Sequence, residues 1–147
     1  MTRPLLVGES NPYGADPSYA LYPYPERSAG GRLCRLVMRL EPRQYLRAYE
    51  RVNLCAGRWS LRAARLAGGA LVSPDPPPSV IVLLGARVCA AFAAPFEPFT
   101  RYSTARLPCV LILPHPSGLS RSWNDPGTYR RAREALRAAG CAVGEEP

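Results

Sequence analysis

A chain of 147 residues, 47 % of them apolar, is sized for one domain and can bury a core without disulfide or metal staples. With 20 % charged residues and a formal net charge of +8, it is too hydrophobic to be wholly disordered. The longest strongly apolar run, Val80 to Leu84, is far too short to cross a bilayer.

The N-terminal stretch from Met1 to Val7 lacks a full signal-peptide core, so a cytoplasmic protein is expected. Residues 4–8 form a short apolar strand that ends in a turn cluster. Residues 11–31, rich in Pro, Gly and Tyr, predict a long loop. Leu33, Leu36, Val37 and Leu40 fall at helical spacing, which predicts a helix over 32–40. Pro42 suits the first turn of a further helix over 42–48. A second strand is expected over 51–55. Leu and Ala alternate with Arg at helical period over 60–71, and the run Pro74-Asp75-Pro76-Pro77-Pro78 stops that helix as a rigid connector. Residues 80–84 predict a buried strand, 86–94 a short helix and 95–106 an irregular aromatic loop. A fourth strand over 109–113 and a loop over 114–125 follow. A closing helix over 126–139 ends at Gly140. No internal repeat is visible. Apolar strands alternating with helices predict an α/β domain spanning 1–147. Its architecture is expected to be three-layer α/β/α around a four-stranded, mainly parallel sheet. Ligands of such folds sit beyond the carboxyl ends of the strands, here Gly8 to Tyr13, Asn53, Gly85 and His115 to Arg121.

All 19 basic residues are arginine. Without lysine no side-chain amine is available for Schiff-base chemistry, which excludes lysine-dependent aldolases and lyases, phosphate-loop NTPases and protein kinases. The basic balance is suited to a polyanionic partner, since arginines neutralise phosphates and release counterions. Cys34, Cys55, Cys89, Cys109 and Cys141 are odd in number and contain no C-x-x-C pair. They are read as core residues, with no metal, iron–sulfur cluster or other cofactor expected. A monomer is expected. G-x-S-x-G and G-x-G-x-x-G are absent, which ranks hydrolase and nucleotide-binding readings last.

Two loops carry the chemistry. Gly8-Glu9-Ser10-Asn11-Pro12-Tyr13-Gly14 follows the first strand, and His115-Pro116-Ser117-Gly118-Leu119-Ser120-Arg121 follows the fourth. This pair resembles the two motifs of the uracil-DNA glycosylase superfamily. The uracil-specific enzymes carry GQDPYH and HPSPLS at these places, and the mismatch-specific branch carries GINPG and NPSGLS. The chain is similar to a hybrid of the two. Asn11-Pro12 and Gly118 to Arg121 match the mismatch branch, whereas Tyr13 and His115 match the uracil-specific one. Tyr22-Pro23-Tyr24-Pro25 resembles the F-P-F stretch of the mismatch enzymes. Asn53 resembles the asparagine that reads the pyrimidine edge. The resemblance implies a glycosylase-like fold, DNA as partner and a monofunctional DNA N-glycosylase that flips out a pyrimidine-type base and leaves an abasic site. Uracil is the default base. The alternatives are a bulky 5-modified cytosine, such as glucosylated hydroxymethylcytosine of phage DNA, removed in antiviral defence rather than DNA repair, or a catalytically weak DNA-binding module of the same fold.

The residue types suit those tasks. Base extrusion needs a wedge, and Leu119 on its Gly118-Leu119-Ser120 loop is suited to that, although loop leucines also simply pack. Ser117, Gly118, Ser120 and Arg121 would meet DNA, with Arg121 on phosphate or the widowed base or else a solvated charge. His115, the only histidine, can donate to the O2 oxygen of a departing pyrimidine anion, or serve as a structural hydrogen-bonder. Asn11 does not titrate but can orient a water at C1′. Glu9 or Asp16 stands near enough in sequence to help stabilise the cation, or to be a loop charge or turn cap. Asn53 offers a donor and an acceptor to a uracil-like edge, or closes an Asx turn. Tyr22 or Tyr24 can stack on a flipped base. Tyr13 either walls off position 5 of the pyrimidine or is held away from it.

Overall fold

Short strands with buried Leu, Ile and Val pair here as a mostly parallel sheet. A computed structural model describes residues 2–11, 14–117 and 120–145. Its strands are β1 (Leu5–Asn11), β2 (Glu50–Ala56), β3 (Ile81–Leu84), β4 (Arg101–Tyr102) and β5 (Val110–Leu113). They form one five-stranded sheet in the order β2-β1-β3-β5-β4. The first four of these are mutually parallel, and β4 is antiparallel to β5.

The register sorts the apolar side chains onto two faces. Leu6, Val82 and Leu111 stand in line on one face, and Leu5, Ile81 and Val110 on the other. The first face packs under α1 (Ala29–Arg32), the π-type turn Leu33–Val37, α2 (Pro42–Ala48) and α5 (Pro126–Ala138). The second packs under α3 (Leu61–Leu71) and α4 (Ala86–Ala91). Helices on both faces make the α/β/α sandwich. The helix starts follow local chemistry. Ser60 caps α3 by accepting from the Ala63 amide, and Asp125 caps α5 ahead of Pro126. Gly140, at φ +82°, ends α5 as expected.

Three expectations need correction. The sheet has five strands, because Arg101–Tyr102, placed in a loop from sequence, adds a short antiparallel edge to β5. The helix expected over 32–40 is instead a turn of α-helix from Ala29 followed by the π-type turn, since Ser28 caps it through the Gly31 amide. β1 runs on to Asn11, so Glu9, Ser10 and Asn11 lie on the strand itself rather than in a turn after it.

All five cysteines are free, and four are buried. Cys34 and Cys141 lie in one core and Cys55 and Cys89 in the other. Burial pushes the Cys89 thiol up to about 11 and that of Cys141 up to about 12, so both act as apolar filler at neutral pH. Among the described residues no helix is long and apolar enough to cross a membrane.

Candidate active site

β1 and β2 meet at a glycine in mid-strand, so Asn53 lies within β2 and not at its carboxyl end as expected from sequence. Gly8 is the register partner of Asn53, and a Cβ at position 8 would collide with Asn53 Oδ1. The bare glycine lets the Asn53 side chain lie across β1 toward Asn11. Asn53 Nδ2 donates to Asn11 Oδ1 at 2.8 Å. Asn11 is only 7 % exposed, so bulk water does not compete for that bond and the amide is fixed in one orientation. One lone pair of Asn11 Oδ1 and its own NH2 remain available. Gly8→Ala should therefore cost about 1–3 kcal/mol of stability through overpacking and should turn Asn53 away. A thermal or denaturant midpoint equal to that of the parent would show that Asn53 has room elsewhere.

A second glycine seats the histidine. Gly85 closes β3 at φ +99°, and a Cβ there would stand 2.9 Å from His115 Cβ. The His115 carbonyl accepts from Trp123 Nε1 at 2.7 Å, and its ring Nδ1 accepts from the Ser117 amide at 3.2 Å. With Nδ1 occupied as acceptor, the neutral ring carries its proton on Nε2.

The third wall is the tyrosine loop. It is tied to the body of the protein by two donors: the buried Tyr45 hydroxyl to the Leu21 carbonyl at 2.8 Å, and the half-buried Arg51, through Nη1, to the Ala20 carbonyl at 2.8 Å. Burial pushes the Tyr45 phenol well above its ordinary range, so the hydroxyl stays a donor at any physiological pH. Arg51 lies 5.6 Å from the Tyr22 ring centre and Arg35 4.9 Å from that of Tyr24. Gly30 and Gly31 let this loop press on α1, since a Cβ on either would meet the backbone of residues 21–26.

These walls enclose a cavity of about 400 Å³ at the carboxyl ends of β1 and β5, beside the middle of β2. Asn11, Tyr22, Tyr24, Asn53 and His115, all expected from sequence, line it together. Tyr19 and Leu21 line it too, and sequence reasoning missed both. Tyr19 packs edge-on to Tyr22 at 4.8 Å. The Gly30-Gly31 pair, whose close approach to the tyrosine loop shapes this wall, was the available signal. Ser117, Ser120 and Arg121 do not line the cavity. They sit on the segment leaving His115, with Arg121 exposed at the start of a 3-10 turn, Arg121–Asn124. Tyr13, Gly118 and Leu119 lie outside the described residues.

The structure separates the two candidate carboxylates. Asp16 accepts from the Ser18 amide at 2.9 Å, capping the 3-10 turn Pro17–Tyr19, and does not line the cavity. Glu9 does line it, and it is the one carboxylate among the described lining residues. The Arg87 guanidinium faces Glu9 at 3.8 Å.

Burial pushes the His115 imidazole below its ordinary value, Glu9 works in the opposite direction, and Arg87 adds to the depression. An unfolded imidazole titrates at about 6.5. As the pH falls through that value the unfolded chain takes up its proton before the folded one does. The stability due to a neutral His115 is therefore complete above this value and is lost in acid toward the lower, folded pKa. Because this is the only histidine, a single NMR titration reads it directly. The midpoint should lie below the ordinary value, fall further in Glu9→Gln and rise in Arg87→Gln. A midpoint at or above the ordinary value in the parent would contradict this electrostatic arrangement.

No protein-family model and no curated protein matches the chain.

Proposed function

We propose that this chain is a monofunctional DNA glycosylase that hydrolyses the N-glycosidic bond of a flipped pyrimidine, with uracil the default base. The observation that carries the proposal is the Asn11–Asn53 pair, its Asn11 buried, lining the same cavity as His115. Motifs separated by a hundred residues converge there, each at the end of a parallel strand.

In this reading the base enters against the wall formed by Tyr22 and Tyr24 and turns its polar edge to Asn53. The C1′–N1 bond breaks and its electron pair leaves with the base, whose O2 takes a hydrogen bond from His115 Nε2–H. A water oriented by the free lone pair of Asn11 Oδ1 attacks C1′. Its proton passes to the Glu9 carboxylate, which also faces the developing oxocarbenium charge. Absence of lysine leaves no side-chain imine to cut the strand, so the product is an abasic site.

One observation favours a second substrate. Pockets of about 300–1,000 Å³ commonly hold drug-sized ligands, and the present cavity of about 400 Å³ falls in that range. Its rim residues Tyr19 and Tyr24 are 57 % and 55 % exposed. A cytosine with a bulky 5-substituent, such as a glucosylated hydroxymethyl group, suits this open aromatic mouth, and its removal would serve defence against phage in the cytoplasm.

The test is base release from oligonucleotides carrying uracil, thymine opposite guanine, 5-hydroxymethylcytosine or its glucosylated form, in single and double strands. Hot alkali reveals abasic sites, and Asn11→Ala is the control. Uracil release supports the first reading and a role in DNA repair. Release of only the bulky cytosine supports the second. Tight DNA binding with no release from any substrate would leave a DNA-binding module and end the enzyme reading.

A further inference from the structure

On the outer side of the tyrosine loop lies a separate pocket of about 280 Å³, lined by Glu26, Arg27, Arg32, Arg35 and Leu36. Arg32 and Arg35 are one turn apart where α1 passes into the π-type turn, and so share a face. Backbone carbonyls anchor two of the three arginines. Arg32 Nε donates to the Arg27 carbonyl and Arg35 Nη2 to the Pro23 carbonyl, both at 3.2 Å. The Nε of Arg35 is buried without a partner. Among the described residues no carboxylate lies within ion-pair distance of Arg27, Arg32 or Arg35. Three arginines thus line one pocket, with Glu26 alone among its lining residues able to offset them. Like charges around one pocket repel one another, and an anion between them relieves that repulsion. A guanidinium is planar and carries several donors, which matches two oxygens of a phosphate.

Tyr24 joins this pocket to the cavity described above. Its ring lines the cavity, and the Arg35 guanidinium stacks on it. An anion held by Arg27, Arg32 and Arg35 would therefore sit just across the wall from a base held inside. We propose that this arginine pocket binds a backbone phosphodiester of the strand whose base enters the cavity. The proposal rests on the reading that the cavity takes a base from DNA. The pocket would fix the strand's register at one linkage and leave sequence unread.

The slope of log affinity against log salt falls by roughly 0.7–0.9 for each phosphate that the protein ceases to neutralise. The double variant Arg27→Gln/Arg32→Gln should lower the slope by that amount. Arg27 is exposed and Arg32 half-buried, and Arg35, which holds the Pro23 carbonyl, is left in place, so loss of the exposed Arg32 bond to the Arg27 carbonyl should lower the thermal midpoint only slightly. Methylphosphonate placed at one linkage at a time beside the target base should weaken binding of the parent at one position. At that position it should weaken the double variant no further. The pair Arg62→Gln/Arg65→Gln on α3, across the sheet, should keep the full slope.

An unchanged slope in Arg27→Gln/Arg32→Gln overturns the proposal, as does an equal fall in the α3 pair, which would mean diffuse charge and no site. Inorganic phosphate that shifts the amides of residues 27–35 while the DNA slope stays unchanged would make this a small-anion pocket and overturn the backbone assignment. The two readings separate cleanly. A slope change in a protein that releases no base supports the pocket and removes the glycosylase. Base release with no slope change removes the pocket alone.

Discussion

Glu9→Gln is expected to release base about 10²–10⁴-fold more slowly than the parent, the usual worth of a positioned general base. The substitution keeps the size and shape of the side chain and removes its charge and its capacity to accept a proton. Asn11, buried and bonded to Asn53, cannot take over because an amide does not titrate near neutrality. Asp16 is committed to capping a turn outside the cavity. The loss should appear in the single-turnover rate with DNA affinity little changed, because the carboxylate acts on water and on charge that develops in the transition state. Added formate should restore part of the rate to Glu9→Ala, with chloride at equal ionic strength as the control. A Glu9→Gln variant as fast as the parent would remove Glu9 from the reaction.

The second large effect is expected at His115. Replacement by alanine removes one preformed donor to the departing base, which is worth about 10²–10³-fold in comparable sites. The fold should survive, since the Trp123 bond is made to the backbone carbonyl of residue 115 and alanine keeps the Cβ that packs over Gly85. The penalty should shrink for a better leaving base, such as 5-fluorouracil, whose anion needs less help. An equal penalty for uracil and 5-fluorouracil would make His115 a structural residue and not a partner of the leaving group.

The strands and most helices were legible because their signal is local. Val80 to Leu84 has no other stable use than a buried strand, and Pro126 after Asp125 marks a helix start by itself. The edge strand Arg101–Tyr102 carries no apolar run, and its two residues pair only because β5 offers a free edge. The same limit applies within the site. Asn11 and His115 stand at or just beyond strand ends, and a strand end can be read from the chain, whereas Asn53 lies in the middle of β2. That Asn53 reaches Asn11 depends on the register that sets Gly8 opposite Asn53, a relation between residues 45 positions apart in sequence. Arg27, Arg32 and Arg35 look like scattered surface charge in a chain with 19 arginines. Their convergence arises from the turn that links α1 to the loop before it.

The anchoring of the tyrosine loop has a consequence for how affinity arises. Tyr45 belongs to the core beneath the sheet, and Arg51 belongs to β2, yet both end on carbonyls of the loop that walls the cavity. Opening this loop would break the buried Tyr45 hydrogen bond and the part-buried Arg51 one, so its backbone amides should exchange with solvent more slowly than those of an untethered loop. The conformational entropy of fixing the aromatic wall is then spent when the chain folds and not when a ligand arrives. Selection among bases would follow from steric fit to a rigid frame, and a change in the core at Tyr45 would alter recognition without touching any residue that meets the base.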